Sequence, residues 1–288
     1  MELYLMSGPS GAGKTRYAKQ FAERSNLLYF GIDDFYRVYN GDETLHEDEC
    51  EVWLAFFHAL RLAERKGRSI IVDTNSPTRI KRCEFLDWFP TYNSHLIFLS
   101  APANLCWDNN NSRVRKIPKD DFQEIYDSVE HPLAHEDPRW KSIMCYWNGS
   151  NDKLISYTPR DYPPKWLYRL ESIRPDNGLW YDQSNNFVWG IGKIPDCTTK
   201  DLPMDYDPRY HKDGKNWFSS CSKREDLLHW YSLENAQELI QNGFVFTRYL
   251  ALDYVEYDLE TTFLKDTVLC REEIDILELF KETEETKS

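Results

Sequence analysis

Short apolar runs alternate with helix-like stretches along the first half of the chain. Residues 3–7, 28–32, 69–73 and 95–99 are apolar runs bounded by polar or turn residues, and they predict strands. Between them the apolar positions recur at helical spacing. Residues 16–24 follow the first strand. The stretch from about 48 to 66 carries Val52, Leu54, Ala55, Phe56, Ala59, Leu60 and Ala63, with Gly67 where a C-cap belongs. A helix with Ile80, Cys83, Phe85, Leu86 and Trp88 starts after the turn at Asn75-Ser76-Pro77, and two more cover 103–111 and 119–129. Strand and helix in alternation predict an α/β fold whose parallel sheet is sandwiched by helices.

The alternation breaks near residue 131. Residues 131–164 are crowded with Pro, Asn, Gly and Asp, and they read as a boundary or a long excursion. Beyond them come short aromatic strands at 166–170, 179–181 and 187–191. One clear helix follows at 233–242, with Ser232 to cap it and Gly243 to end it, then strands at 244–253 and 259–269. The expectation is two domains, an α/β domain over 1–150 and a smaller α+β domain over 151–288. The tail 281–288 is too polar to pack.

Composition agrees with a soluble globular protein of 288 residues, 41% hydrophobic and 29% charged. No run of 18 apolar residues is present, so no transmembrane helix is expected. The first strand begins at Glu2, which leaves no room for a signal peptide ahead of it. Seven scattered cysteines without a C-x-x-C pair read as free thiols of a reducing cytoplasm. The net charge is −13, and residues 151–288, with 17 Lys and Arg against 26 Asp and Glu, hold −9 of it. Such a surface is a poor platform for non-specific nucleic-acid binding. A polynucleotide substrate would have to be gripped locally, by the first half.

The chemistry is written most plainly at the start. Gly8-Pro9-Ser10-Gly11-Ala12-Gly13-Lys14-Thr15 fits G-x-x-x-x-G-K-[ST] between a strand and a helix. Backbone N–H groups of Gly8, Ser10, Gly11, Ala12 and Gly13 would close around phosphate, helped by the helix N-terminus. Lys14 would reach the β- and γ-phosphates, and the Thr15 hydroxyl would hold Mg²⁺. ATP and Mg²⁺ are therefore the expected cofactors. An acidic pair, Asp33-Asp34, ends the second strand, where ligands gather in open parallel sheets. Asp34 could take the proton of an attacking hydroxyl, with Arg37 three residues on to pin a substrate phosphate. Either aspartate also suits a helix N-cap. Asp73 ends the third strand and faces Mg²⁺ or the acceptor, or caps the next helix; Asn75 joins it as a substrate-binding candidate. Arg79 and Arg82 are either phosphate contacts or the solvated face of a helix. In residues 109–118, Arg113, Arg115 and Lys116 read as a basic lid over the triphosphate or a solvated loop.

Taken together, these motifs resemble the 5′-polynucleotide kinase domain of bacteriophage and bacterial nucleic-acid repair enzymes, over about residues 1–132. The resemblance implies an adenylate-kinase-like P-loop NTPase fold and ATP-dependent phosphorylation of a 5′-hydroxyl end of RNA or DNA. It implies Asp34 as general base, Arg37 on the acceptor phosphate and Asp73 on the acceptor. It also implies Arg113 on the donor phosphates, with Arg115 as the fallback. Kinases of nucleosides, nucleotides or nucleotide sugars share the layout, and an NTP-dependent switch with a protein-binding C-terminal module is a further alternative. No D-x-D-G-[TS] phosphatase run and no K-x-D-G ligase motif occurs. The C-terminal half is similar to an uncharacterised accessory domain of phage proteins, which leaves it a protein or nucleic-acid partner. Localisation follows as cytoplasmic, in the host if the protein is phage-encoded, with no membrane partner.

Overall fold

The computed structural model describes residues 1–41, 49–113, 116–149, 154–172, 217–257, 260–277 and 280. The chain divides into two compact units, Met1–Pro163 and Pro164–Ser288.

In the first unit the four anticipated strands form as β1 (Glu2–Ser7), β2 (Leu28–Gly31), β3 (Ile70–Asp73) and β4 (Asn93–Ser100). They lie in the order β2-β3-β1-β4 and all pair in parallel. The two-residue period of a strand sends neighbours to opposite faces. Leu3, Leu5, Ile70, Val72 and Leu96 meet Ile32, Tyr36, Val52, Phe56, Leu60, Phe85 and Leu86 on one face. Those side chains come from α2 (Ile32–Asn40), α3 (Glu49–Arg65) and α4 (Arg79–Trp88). Met6, Ile71, Ile97 and Leu99 meet Ala18, Ala22, Cys106 and Phe122 on the other. Here the helices are α1 (Lys14–Ser25), α5 (Ala103–Ser112) and α6 (Lys119–Asp127). The sheet is thus sandwiched between helices, as the pattern predicts. Phe56 is fully buried at the centre of the first layer, and its truncation to alanine should cost roughly 3–5 kcal/mol.

Residues 131–164 do reach the boundary between the units, which falls between Pro163 and Pro164. They are no excursion: β5 (Trp140–Asn148) continues the sheet parallel to β4, and β6 (Leu154–Tyr157) turns back antiparallel to β5. Trp140, Cys145 and Trp147 are buried, which is why this stretch belongs to the first core. The first unit accordingly runs past the expected boundary at 150. Helix α2 extends over nine residues after β2.

Among the described residues, the second unit holds two three-stranded antiparallel sheets. One has the order β12-β9-β7, from β12 (Val268–Glu273), β9 (Phe244–Ala251) and β7 (Lys165–Ser172). The other has the order β10-β11-β8, from β10 (Tyr254–Glu256), β11 (Thr261–Leu264) and β8 (Trp217–Ser220). The helix Leu233–Gln241 begins at Ser232, whose hydroxyl accepts from the Asn235 backbone N–H, and Gly243 follows it at φ 80°. The strand expected over 259–269 is two: the 3₁₀ turn Lys265–Thr267 separates β11 from β12, and the halves join different sheets. The strand candidates 179–181 and 187–191 and the tail 281–288 lie outside the described residues. No described helix is long and apolar enough to cross a membrane.

Candidate active site

The loop between β1 and α1 is built on glycines. Gly8 has φ 129°, and a Cβ there would stand 2.0 Å from the Leu99 carbonyl oxygen. Gly11 has φ 83°, and a Cβ would stand 2.2 Å from the carbonyl oxygen of Cys106. Both positions exclude any side chain, because loop backbone packs directly on β4 and α5 backbone. Helix α1 starts at Lys14, so its unpaired N–H groups open on the loop. The Lys14 ammonium donates to the carbonyls of Gly8 (2.8 Å) and Pro9 (2.9 Å). Two asparagines brace the loop from its flanks. Asn109 Nδ2 donates to the Gly11 carbonyl at 2.8 Å, and Asn148 Nδ2 donates to that of Ala12 at 3.1 Å.

The loop floors a cavity of about 1260 Å³ at the C-terminal ends of the strands. Ser10, Gly11, Gly13, Lys14 and Thr15 line it, while Ala12 is buried in the core beneath. On the β2–β3 side stand Tyr29, Asp33, Asp73, Thr74 and Asn75; toward α5 and α6 stand Asn109, Arg113, Lys116 and Asp121. The Asp73 carboxylate, 8% exposed, accepts the Thr15 hydroxyl at 2.6 Å and the Tyr29 hydroxyl at 3.3 Å. Burial raises its pKa above the usual carboxylate value, against the opposing pull of Lys14. Burial likewise lowers the Lys14 pKa, against the pull of Asp73. Asn75 is exposed and faces the cavity.

Asp34 departs from expectation. It is not among the residues lining this cavity; its carboxylate is held by Arg37 Nη1 at 3.1 Å and Lys19 Nζ at 3.8 Å. Asp33 lines the cavity in its place. Consecutive helical residues point about 100° apart, so only one of the pair can face the phosphate loop. Neither is the N-cap of α2, which is Gly31 with no side-chain cap. Arg37 is likewise absent from the lining.

The arginines of α4 also lie outside the cavity lining. Arg82 is fully buried: its Nε donates to Glu136 Oε1 at 2.8 Å, Nη2 pairs with Glu136 Oε2, and Nη1 donates to the carbonyls of Pro77 and Glu130, both at 2.9 Å. Arg79 Nη2 donates to the Glu136 carbonyl at 2.5 Å. Together they tie the chain ahead of β5 to α4. Arg113 does line the cavity, and its Nε and Nη2 donate to Asn110 Oδ1 at 3.3 and 2.7 Å. Arg115 lies outside the described residues. The sequence reading placed Asp33 at the site only as one of an acidic pair, and it missed Tyr29 and the bracing asparagines. Asn109 and Asn110 were visible only as part of a polar run.

A family model described as an AAA domain matches residues 3–132. No curated protein sequence matches the chain. Several solved structures share part of its fold. A sugar kinase from Janibacter is 18% identical, with a TM-score of 0.38, and the match covers 50% of this chain and 85% of that one. A gluconokinase from Sinorhizobium meliloti is 16% identical, with a TM-score of 0.36, over 51% of this chain and 81% of that one. A chain of the Pnkp1/Rnl/Hen1 RNA repair complex is 17% identical, with a TM-score of 0.40, over 44% of this chain and 43% of that one. Each of these matches is confined to about half of this chain.

Proposed function

We propose that the first unit transfers the γ-phosphate of ATP to a hydroxyl acceptor, with Asp33 as general base. The observation that carries this reading is the pair Asp33 and Asp73 on one wall of the phosphate-loop cavity, beside Thr15 and Lys14. Thr15 and Asp73 offer oxygen donors at the loop's exit, the kind Mg²⁺ takes. When bound there, Mg²⁺ neutralises charge on the β- and γ-phosphates. The reading moves Asp73 from the acceptor, where the resemblance put it, to the metal side, because its carboxylate meets Thr15.

The chemistry then follows from this chain's own groups. Asp33 takes the proton of the acceptor hydroxyl as its oxygen bonds to the γ-phosphorus. The bond from that phosphorus to the β–γ bridging oxygen breaks, and ADP leaves. Lys14 and Arg113 counter the negative charge on the transferring group and on ADP. A positioned base contributes ~10²–10⁴ in rate. A 5′-hydroxyl of RNA or DNA is the finer reading of the acceptor, supported by the order of motifs along residues 1–132. Its phosphate contact, Arg37, pairs with Asp34 outside the cavity lining, so that finer reading has no arginine of its motif at the acceptor.

Transfer of label from γ-labelled ATP tests the proposal. The acceptors are 5′-hydroxyl RNA and DNA oligonucleotides, nucleosides and simple sugars, with Lys14→Ala as control. Label on one acceptor class, lost in the control, supports a kinase and names its substrate. ATP binding with slow hydrolysis and no labelled acceptor would replace it with a nucleotide-dependent switch.

A further inference from the structure

Asn110, at the end of α5, is fully buried although it is polar. Burial of an amide is costly unless its hydrogen-bonding groups are met, and here both ends are used. Its Oδ1 accepts from Arg113 Nη2 at 2.7 Å, from Arg113 Nε at 3.3 Å and from the Ile117 backbone N–H at 3.1 Å. Its Nδ2 donates to the Ile117 carbonyl at 2.9 Å. One side chain therefore fixes both the arginine that enters the cavity and the backbone at Ile117, just before α6. The preceding residue, Asn109, holds the phosphate loop through the Gly11 carbonyl. Two consecutive asparagines thus tie one end of α5 to the loop and to Arg113.

We propose that Asn110 is a positioning residue for nucleotide binding: it holds the Arg113 guanidinium against the donor phosphates and acts only through that arginine. The proposal rests on the reading of Arg113 as a donor-phosphate contact. An amide oxygen suits this task, since it orients two guanidinium N–H groups without neutralising the charge. A flexible arginine loses side-chain entropy on binding phosphate, and a residue that restrains it beforehand removes part of that cost.

The test is a double-mutant cycle on ATP affinity, measured by titration calorimetry with the full chain and Mg²⁺. Arg113→Ala is expected to weaken ATP about tenfold, and Asn110→Ala by a similar factor. The double variant should be no weaker than Arg113→Ala alone, because the asparagine has nothing left to position. Losses that multiply to about a hundredfold would show Asn110 acting elsewhere and overturn the proposal. Should Asn110→Ala fail to fold, Arg113→Lys serves instead, since it keeps the charge but loses the two-pronged contact with Asn110. It is expected to match Arg113→Ala within about threefold, and wild-type affinity would overturn the proposal. If Arg113→Ala itself binds ATP as the wild type does, the underlying reading of Arg113 fails instead.

Discussion

The Thr15 hydroxyl donates to Asp73 Oδ2 at 2.6 Å, joining residues 58 apart in sequence at the mouth of the phosphate loop. Parallel pairing of β1 with β3 creates this meeting, since Met6 stands opposite Asp73 and sets the strand end beside the loop. Burial makes the Asp73 charge costly to the fold, the bond from Thr15 offsets part of that cost, and the proposed function gives the carboxylate its use.

That duality predicts opposite effects of Asp73→Asn on activity and stability. Mg²⁺ affinity should fall ~10–100-fold, with transfer falling alongside. Burial raises the folded-state pKa of Asp73 above its ordinary 3.8. Such a group supports folding below its unfolded pKa and loses that support as pH rises through the raised value. At neutral pH the charge therefore opposes folding, and the asparagine variant should melt higher than the wild type without nucleotide. A lower melting temperature would mean that the bond from Thr15 outweighs the cost of burying the charge.

The two aspartates of α2 should separate cleanly in steady-state kinetics. Asp33→Asn is expected to lower kcat ~10²–10⁴-fold while ATP still binds. Asp34→Asn removes only a partly exposed pair with Arg37 and Lys19, so its kcat should stay within about threefold of wild type. The reverse order of effects would return the base to Asp34.

Arg82 and Glu136 are both buried and hold each other. Removing one partner strands the other charge, so Arg82→Met should lose about 3–5 kcal/mol in urea unfolding. Replacing both, as in Arg82→Met with Glu136→Leu, should recover much of that loss. A double variant no more stable than Arg82→Met would show that Arg82's bonds to the Pro77 and Glu130 carbonyls carry the effect.

His131 offers a pH signature. It packs against Phe98 and lies within 3.2 Å of the Tyr157 hydroxyl. Burial pushes its pKa down from 6.5 to about 4. Above pH 6.5 both folded and unfolded states are neutral there. Between 6.5 and about 4 the unfolded chain takes the proton and the folded chain does not, so stability falls with pH. The full effect is about 3 kcal/mol. His131→Gln should flatten the urea midpoint across that window relative to wild type; an unchanged slope would place the titration elsewhere.

Much of the first unit was legible because its signals are local. Glycines at fixed offsets announced the phosphate loop, and apolar runs announced β1 to β4. What failed was long-range or rotational. β5 was hidden because Trp140 and Trp147 sit amid turn-forming residues, and their burial depends on pairing with β4. The choice between Asp33 and Asp34 turns on a rotation of one residue: the D-x-x-R spacing points to Asp34, while the cavity lining contains Asp33. Arg82 was read as a contact or a solvated cation, since arginines are seldom fully buried; its partner Glu136 lies 54 residues away. The asparagines at 109 and 110 had no role of their own in the sequence because their acceptors, Gly11 and Ile117, are brought close only by the fold.

The brace from Asn148 to Ala12 has a practical consequence for anyone dissecting this protein. The family match ends at residue 132, yet a fragment cut there would lack β5, β6 and one of the two side chains clamped on the phosphate loop. It would also leave the β4 edge bare and Arg82 without its carboxylate. The smallest self-sufficient form of the first unit is therefore set by hydrogen bonding across the sheet, and reaches at least to the end of β6 at Tyr157.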